Sequence, residues 1–242
     1  NYNQQHYEDK QNKIFENLNF SRSKGKEKIK IIKDNFNIKT GGMSSEHEIL
    51  FACISLEKKL KIKNILEIGT FDGSNSHLLS RLFMDSEIDT IDLNSNSAEF
   101  IQSYNRGNSL NDFIQRRTDN LSKSKKINFK ELNSLNLINH RKKYDLIWID
   151  GAHGYPVVSS DILNSLNLIN DNGIILCDDI YTNLDFSKYD KMYKSIASYE
   201  TLKALEEQKI IKFDLIYKRL ESKFNCDEND RQFVAICERI LN

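Results

Sequence analysis

Carboxylates lie at the carboxyl ends of several short apolar runs that have the pattern of buried strands, and their positions suggest chemistry at one edge of a sheet. The residues concerned are Glu67, Asp92, Asp150, Asp178 and Asp179. In a mainly parallel α/β sheet, ligands bind outside the carboxyl ends of the strands. Because the side chains there are acidic, this edge suits a cationic ligand, the hydroxyls of a ribose, or a metal ion.

A glycine turn follows the first of these runs, Lys63–Ile68. Gly69 and Gly73 lie four positions apart, whereas the dinucleotide fingerprint requires G-x-G-x-x-G. The spacing therefore argues against a pyrophosphate, although both glycines permit a ligand to approach the backbone closely. Asp92 comes 23 residues after Gly69, about where an acidic side chain accepts hydrogen bonds from ribose hydroxyls.

The elements that must position these side chains alternate between strand and helix patterns. Ser74–Phe83 and Val157–Ile169 have helical spacing between apolar runs, and such alternation favours a parallel sheet with helices on both faces. Ile210–Tyr217 and Gln232–Ile236 follow without a helix between them, so we expect an antiparallel pair. The predicted fold class is α/β: a Rossmann-like, doubly wound sheet of seven strands, mostly parallel, with an antiparallel C-terminal pair.

Before the sheet, residues 1–42 are predicted to form an N-terminal helical extension, and residues 43–242 the α/β domain. Ser45 and Glu48 have the spacing of a capping box at the start of the next helix. His47 in that helix has two interpretations, an ordinary position without a function, which we favour, or a position lining the cleft. Two roles are open for the extension: closing over the site, or making contacts in a homodimer.

Composition excludes several classes of function. The 242 residues carry 35 Lys plus Arg and 35 Asp plus Glu, so no basic excess argues for a nucleic-acid partner. No apolar run approaches the roughly 18 residues needed to cross a membrane, and the polar segment Asn1–Lys13 does not have the pattern of a signal peptide. The cysteines are scattered without a C-x-x-C pair, which favours free thiols over a zinc site. We therefore expect a cytoplasmic protein.

Two stretches resemble those of class I S-adenosylmethionine (SAM)-dependent methyltransferases. "EIGTFDG" (Glu67–Gly73) resembles their E-x-G-x-x-x-G turn. "YDLIWIDGAHGYPVVSSDILNSLNLINDNGIILCDDI" (Tyr144–Ile180) resembles a branch of small-molecule O-methyltransferases with D-L-I-x-I-D-G-x-H-x-Y followed by G-G-x-I-x-x-D-D. The resemblance extends over roughly residues 45–238, and it implies SAM as the cofactor.

The resemblance also implies a role for the residues at the strand ends. Glu67 and Gly69 would line the methionine part of SAM, Asp92 would bind the ribose, and Asp150 would lie beside the sulfonium. An acidic edge suits this ligand because its sulfonium and ammonium are both cationic. The implied SAM-binding residues are Glu67, Gly69, Thr70, Gly73, Ser74, Asp92, Asn133, Ser134 and Asp150, with Asn133 and Ser134 flanking the adenine.

A hydroxyl acceptor is a poor nucleophile until it loses its proton, and two devices achieve this. A divalent cation lowers the pKa of the hydroxyl, and in the metal-dependent branch the positions of Asp150, Asp178 and Asp179 hold Mg²⁺ or a similar ion. That branch often has Asn at the position of Asp179, so the second aspartate is a departure. The other device is a general base, for which His153 is the candidate, together with Asp150 as a catalytic residue. The alternatives are a turn or cap for Asp178–Asp179 and a non-catalytic loop position for His153.

The sequence thus predicts an enzyme that transfers a methyl group from SAM to a hydroxyl of a small molecule, such as a sugar or secondary metabolite. The aromatic residues Tyr181, Phe186, Tyr189 and Tyr193 either shape the acceptor pocket or belong to a plain helix connection. Other functions stay open: a non-catalytic SAM- or nucleoside-binding module, a metal-free methyltransferase acting on nitrogen, and an NAD-dependent oxidoreductase, against which the glycine spacing argues.

Overall fold

A computed structural model describes residues 3–40, 44–103, 109–183, 195–221 and 231–241. The helices are α1 (Gln4–Asn17), α2 (Arg22–Phe36), α3 (Ser45–Leu56), α4 (Ser74–Leu82), α5 (Ala98–Gln102), α6 (Leu110–Ser122), α7 (Val157–Leu168) and α8 (Ala197–Glu207), with a 3₁₀ helix at Ser134–Asn139. The strands are β1 (Asn64–Ile68), β2 (Glu87–Asp92), β3 (Ile127–Glu131), β4 (Tyr144–Ile149), β5 (Ile169–Tyr181), β6 (Ile211–Tyr217) and β7 (Gln232–Arg239).

The strands form one seven-stranded sheet in the order β3-β2-β1-β4-β5-β7-β6. The first five strands in this order pair in parallel. Strand β7 is antiparallel to both of its neighbours. The predicted fold class and the antiparallel C-terminal pair are therefore confirmed. Because β1 lies between β2 and β4, the order of strands reverses next to the glycine turn, where ligands bind in sheets of this kind.

Successive side chains on the central strands enter different hydrophobic cores, one on each face of the sheet. On β4, Leu146 and Trp148 lie in the core formed with α3 and α4, whereas Ile147 and Ile149 lie in the core formed with α7 and α8. All four are at most 1% exposed. This alternation follows from the period of two along a strand, and it explains why buried parallel strands read as continuous apolar runs.

The N-terminal helices share the first of these cores with the sheet. Phe15 of α1 and Ile29 of α2 belong to the same buried cluster as the α3 side chains. The guanidinium of Arg22 donates to both carboxylate oxygens of Glu46, at 2.9 and 2.6 Å, and both side chains are at most 4% exposed. A buried bidentate pair of this kind fixes α2 against α3.

The predicted capping box at the start of α3 is wrong. Ser44 is the N-cap residue, and Ser45 is the first residue of the helix. The carboxylate of Glu48 accepts hydrogen bonds from Lys33 Nζ at 2.9 and 3.0 Å. An ion pair with α2 therefore takes the place of the local hydrogen bond that the spacing predicts.

Strand β5 extends on both sides of its apolar run Gly173–Cys177, because it starts at Ile169 and continues to Tyr181. Its pairing with β7 shifts between Cys177 and Ile180, and Asp179 within the shift has a φ of 52°. This is a β-bulge, which redirects side chains from the regular alternation. Asp178 and Asp179 are thus inside the strand and not in a turn that follows it.

Candidate active site

The turn between β1 and α4 packs directly against the end of β4. Gly69 has a φ of 102°, and a Cβ atom there would lie 2.1 Å from the backbone oxygen of Asp150. Gly73, with a φ of 74°, is the N-cap residue of α4. Only glycine suits both the backbone conformation and the close contact at position 69. Gly69 therefore allows the turn and Asp150 to pack together, whereas Gly73 packs against Leu121 and Arg117 of α6.

Glu67 lies underneath this turn and is fully buried. Its carboxylate accepts hydrogen bonds from Asn75 Nδ2 at 2.7 Å, from Thr90 Oγ1 at 2.5 Å and from the hydroxyl of Ser76. Burial raises its pKa to about 7, although these three hydrogen bonds oppose the shift. Glu67 thus ties β1 to β2 and to the first turn of α4, and its contact with SAM stays a prediction.

Thr70 and Ser74 lie in the same turn and are also buried, at 2% and 6% exposure. The hydroxyl of Thr70 lies 2.7 Å from that of Thr90 on β2. The backbone N–H of Ser74 donates to Asp72 Oδ1 at 3.0 Å. The side chain of Thr70 thus fixes the turn to β2, and the predicted contacts of both residues with SAM stay predictions.

Asp92 lies at the end of β2 and is half-buried. Its Oδ2 accepts the backbone N–H of Phe71, at 2.9 Å, and its Oδ1 accepts that of Leu93, at 2.8 Å. These bonds fix the carboxylate beside the glycine turn. A carboxylate held in this way is an acceptor of the kind that ribose hydroxyls need, and the contact of Asp92 with the ribose stays a prediction.

Asn133 and Ser134 lie at the end of β3, where the resemblance places the adenine. Asn133 caps the 3₁₀ helix, because its Oδ1 accepts the N–H of Leu135 at 3.0 Å. The carbonyl of Ser134 accepts a hydrogen bond from Asn164 on α7, at 3.4 Å. Both residues therefore define the backbone at this strand end, and their contact with adenine stays a prediction.

The carboxyl group of Asp161 on α7 was not predicted as a site residue. Asp161 is fully buried, and burial raises its pKa to about 6. Its Oδ2 lies 3.6 Å from the position that a Cβ on Gly151 would occupy, directly after Asp150. The signal in the sequence is an acidic residue on the apolar face of a helix, where an unpaired charge is costly.

Asp150, His153 and Asp179 converge at the ends of β4 and β5. Nε2 of His153 lies 3.4 Å from Asp179 Oδ2 and 3.7 Å from Asp150 Oδ1. One ligand-capable atom from each of the three side chains lies within 4.8 Å of the others. His153 is only 5% exposed, so the predicted base faces two carboxylates inside the cleft.

The protonation of Asp150 depends on its neighbours. Loss of solvation raises its pKa above the ordinary value, and so does the negative charge of Asp178, while Lys218 opposes the shift. The Asp150 side chain keeps 37% of its exposure, and solvent therefore screens part of this effect. Among the three aspartates, the side chain of Asp150 is the most exposed, at 37%, compared with 20% for Asp179 and 3% for Asp178.

Lys218, directly after β6, reaches the same carboxylates from the other side. Its Nζ lies 2.6 Å from Asp178 Oδ2 and also donates to Asp179 Oδ1. The lysine side chain is 6% exposed and that of Asp178 is 3% exposed. Burial alone lowers the pKa of Lys218, but Asp178, Asp179 and Asp150 raise it above its ordinary value. The ammonium therefore stays charged.

The predicted metal ligands Asp150, Asp178 and Asp179 thus divide between two groups. Asp150 and Asp179 converge with His153, whereas Asp178 turns to Lys218. Asp178 Oδ1 is buried and has no hydrogen-bond partner among the described residues. The bulge explains this arrangement, because adjacent residues of a regular strand point to opposite faces, whereas here both aspartates reach one ammonium.

His47 belongs to the core, in agreement with the favoured interpretation. It is 2% exposed, its Nδ1 lies 2.9 Å from the hydroxyl of Ser44, and its ring centroid is 5.2 Å from that of Trp148. Burial holds its pKa well below the ordinary value. Of the predicted acceptor-pocket aromatics, Tyr181 is buried in β5, and Phe186, Tyr189 and Tyr193 lie outside the described residues.

A separate groove, with a volume of about 530 Å³, lies between α7, α8 and the 3₁₀ helix. Apolar residues that line it include Leu135, Ile138, Leu163 and Ile210. None of the predicted site residues lines this groove. The candidate active site is therefore the edge of the sheet formed by the ends of β1, β2, β4 and β5.

Comparison with known proteins agrees with this location. Residues 66–180 match a protein family described as "Methyltransferase domain". The match starts in β1 and ends in β5, so it contains the glycine turn, Asp92, Asp150 and the two aspartates of the bulge. Among curated proteins, no sequence matches this chain.

Solved structures share the fold. An O-methyltransferase from Bacillus cereus in complex with S-adenosylhomocysteine (SAH) has a TM-score of 0.53 and 17% identity, with 89% of this chain and 90% of that chain covered. A SAH-bound methyltransferase from Podospora anserina has a TM-score of 0.55 and 19% identity, over 82% and 80%. A SAM-bound O-methyltransferase of tomaymycin synthesis from Streptomyces achromogenes has a TM-score of 0.54 and 14% identity, over the full length of both.

Residues 66–180 thus resemble a methyltransferase domain, and the chain has the fold of SAM- and SAH-bound methyltransferases. Across the ranges that the structure describes, no helix combines the length and apolarity needed to span a membrane. Cys53, Cys177 and Cys237 are buried free thiols, as predicted, while the cytoplasmic location stays a prediction.

Proposed function

We propose that this protein transfers the methyl group of SAM to a hydroxyl of a small molecule, with His153 as the general base. The observation that carries the proposal is the convergence of His153, Asp150 and Asp179 beside the glycine turn. The O-methyltransferases of similar fold support a hydroxyl acceptor. A sugar or a secondary metabolite is the substrate class that we expect.

The described residues fit SAM as the methyl donor. Gly69 has no side chain, so the turn packs directly against the backbone of Asp150 at the end of β4. Asp92 offers a fixed carboxylate for the ribose hydroxyls, and the half-exposed Asp150 offers negative charge for a sulfonium. When bound, SAM supplies a methyl group activated by positively charged sulfur.

Methyl transfer requires an in-line approach of the acceptor oxygen to the methyl carbon. In the proposed step, the oxygen–carbon bond forms as the carbon–sulfur bond breaks, and the acceptor proton passes to His153. Asp179 Oδ2 and Asp150 Oδ1 lie within 3.7 Å of Nε2, so the imidazolium that forms has two carboxylates beside it. Asp150 thereby has two roles: its negative charge stabilises the sulfonium of SAM, and it stabilises the protonated ring of His153.

The divalent cation implied by the family resemblance fits poorly at the predicted ligands Asp150, Asp178 and Asp179. Mg²⁺ prefers several oxygen ligands at about 2.0–2.1 Å. The ammonium of Lys218 already contacts Asp178 Oδ2 and Asp179 Oδ1. An ion at the predicted ligand set would have to displace this charge, and therefore we assign no step to a metal.

Two measurements test the proposal. Calorimetry with SAH checks binding of the demethylated donor, and we expect uptake of one molecule per chain. Transfer of labelled methyl groups from SAM is then assayed with a panel of hydroxylated sugars and phenols, beside matched amines. Binding of SAH, together with formation of labelled methyl ethers from the hydroxylated compounds, supports the proposal.

Other outcomes favour the rival functions. SAH binding without any transfer indicates a non-catalytic binding module, and labelled amines alone indicate a nitrogen acceptor. Absence of SAH binding overturns the proposal. The homodimer expected from the N-terminal extension remains a separate proposal, which the mass of the protein in solution tests.

A further inference from the structure

Lys218 occupies the place at which a cation between the two adjacent aspartates would lie. Its Nζ contacts Asp178 Oδ2 at 2.6 Å and donates to Asp179 Oδ1. Gln232 Nε2 donates to the same oxygen of Asp179, at 3.0 Å. One oxygen of Asp179 is thus held by two donors, and the other faces His153 at 3.4 Å.

The charges at this place explain why a cation is required there. Asp150, Asp178 and Asp179 bring three carboxylates to the ends of two neighbouring strands, and carboxylates that share a site repel one another. Asp178 is 2% exposed, so water does little to screen it. An unpaired buried carboxylate is strongly destabilising, and Lys218 supplies the compensating charge.

A divalent ion bound to Asp178 and Asp179 would compete with this ammonium for the same carboxylate oxygens. An ion bound to Asp178 Oδ2 at about 2.1 Å would stand close to Nζ, which is 2.6 Å from that oxygen. Two positive charges at such a separation repel strongly where water is excluded. Binding of the ion would therefore require Lys218 to leave a buried position.

We propose that Lys218 supplies the positive charge that a divalent cation would supply in this site, so that methyl transfer proceeds without a metal. This inference rests on the proposed function. Lys218 is a positioning residue: it holds one oxygen of Asp179, and the other oxygen then orients His153 toward the acceptor.

The first test needs no acceptor. Mn²⁺ is titrated into the full-length protein with SAH bound, and uptake is followed by electron paramagnetic resonance. We expect no uptake by the wild type in the millimolar range, and uptake of one ion per chain by Lys218→Met, which frees the carboxylates. Lys212→Met is the matched control, since Lys212 lies on β6, the strand that precedes Lys218, in an exposed ion pair with Glu238.

The second test measures transfer after treatment with EDTA. We expect the wild type to keep its rate and Lys218→Met to lose about 100-fold in kcat, with KM for SAM little changed. Lys218→Arg should recover part of the loss, because it restores the charge. A merely structural role would lower stability in Lys218→Met without metal uptake.

Three results overturn the inference: Mn²⁺ uptake by the wild type that Asp178→Asn abolishes, loss of wild-type transfer in EDTA with recovery in Mg²⁺, or a folded Lys218→Met with neither effect. If circular dichroism shows that Lys218→Met is unfolded, the Mn²⁺ titrations of the wild type and of Lys218→Arg test the inference instead. Failure of SAH binding would instead overturn the proposed function, so the two failures are distinct.

Discussion

A Cβ atom on Gly69 would lie 2.1 Å from the backbone oxygen of Asp150. The glycine turn and the end of β4 are therefore in direct contact, with no room for a side chain between them. This contact places the carboxylate of Asp150 next to the turn that we expect to hold SAM. Its consequences can be measured by substitution.

Gly69→Ala should destabilise the protein by about 3 kcal/mol, because it adds a steric clash to an unfavourable backbone conformation. Urea unfolding measures the change. Gly151→Ala is the matched control, since the nearest heavy atom to its Cβ would be 3.5 Å away. Equal stability of the two variants would contradict the close packing described above.

Asp92→Asn should weaken SAH binding by roughly 30-fold, the equivalent of about 2 kcal/mol for charged hydrogen bonds. The amide oxygen can still accept the N–H of Phe71, so the turn should persist. Calorimetry measures the affinity, and Asp85→Asn, at an exposed position, serves as the control. An unchanged affinity of Asp92→Asn for SAH would show that Asp92 does not bind the cofactor.

His153→Gln should lower kcat by about 100-fold or more, because the acceptor proton loses its base, while the affinity for SAH stays unchanged. The residual rate should rise steadily with pH, since the acceptor must then ionise without help. His6→Gln, an exposed substitution, is the control. A variant that keeps the wild-type rate and pH profile would exclude His153 as the base.

Glu67 makes stability depend on pH. Its pKa rises from 4.5 in the unfolded chain to about 7 in the fold, so the folded state binds the proton more tightly. The stabilisation of the fold by this proton is fully present below pH 4.5 and is lost as the pH rises through about 7. Its size is at most about 3 kcal/mol.

The difference in unfolding free energy between wild type and Glu67→Gln isolates this effect from other titrating groups. We expect the wild type to lose stability relative to the variant between pH 4.5 and 7. Glu16→Gln, at an exposed position, should follow the wild type. A constant difference between wild type and Glu67→Gln would show that the buried carboxyl does not titrate in this range.

Much of the fold is readable from the sequence because buried parallel strands are short apolar runs. Strand β4, Tyr144–Ile149, is such a run, and the lack of a helix between the last two strands predicts their antiparallel pairing. Strand β5 is harder, because its first residues, Ile169–Asn172, are mostly polar. The bulge at Asp179 depends on pairing with β7, which no local pattern specifies.

The meeting of Asp150, His153 and Asp179 follows from strand ends that are adjacent in the expected sheet. The position of Lys218 does not, because it lies two strands away from β5 and no motif surrounds it. Its role depends on the reach of a long side chain across β7. Contacts of this kind require coordinates, since periodicity reports which face a residue occupies and not what it touches.

The side-chain amide of Gln11 on α1 makes the same pair of hydrogen bonds to the backbone of Tyr217 that a neighbouring strand would make. Nε2 donates to the Tyr217 carbonyl and Oε1 accepts its N–H, both at 3.0 Å, at the open margin of the sheet. Tyr217 immediately precedes Lys218. Removal of helix α1 would therefore free the backbone next to Lys218 and loosen the position of its ammonium. A change far from the cleft would in this way affect the proposed active site.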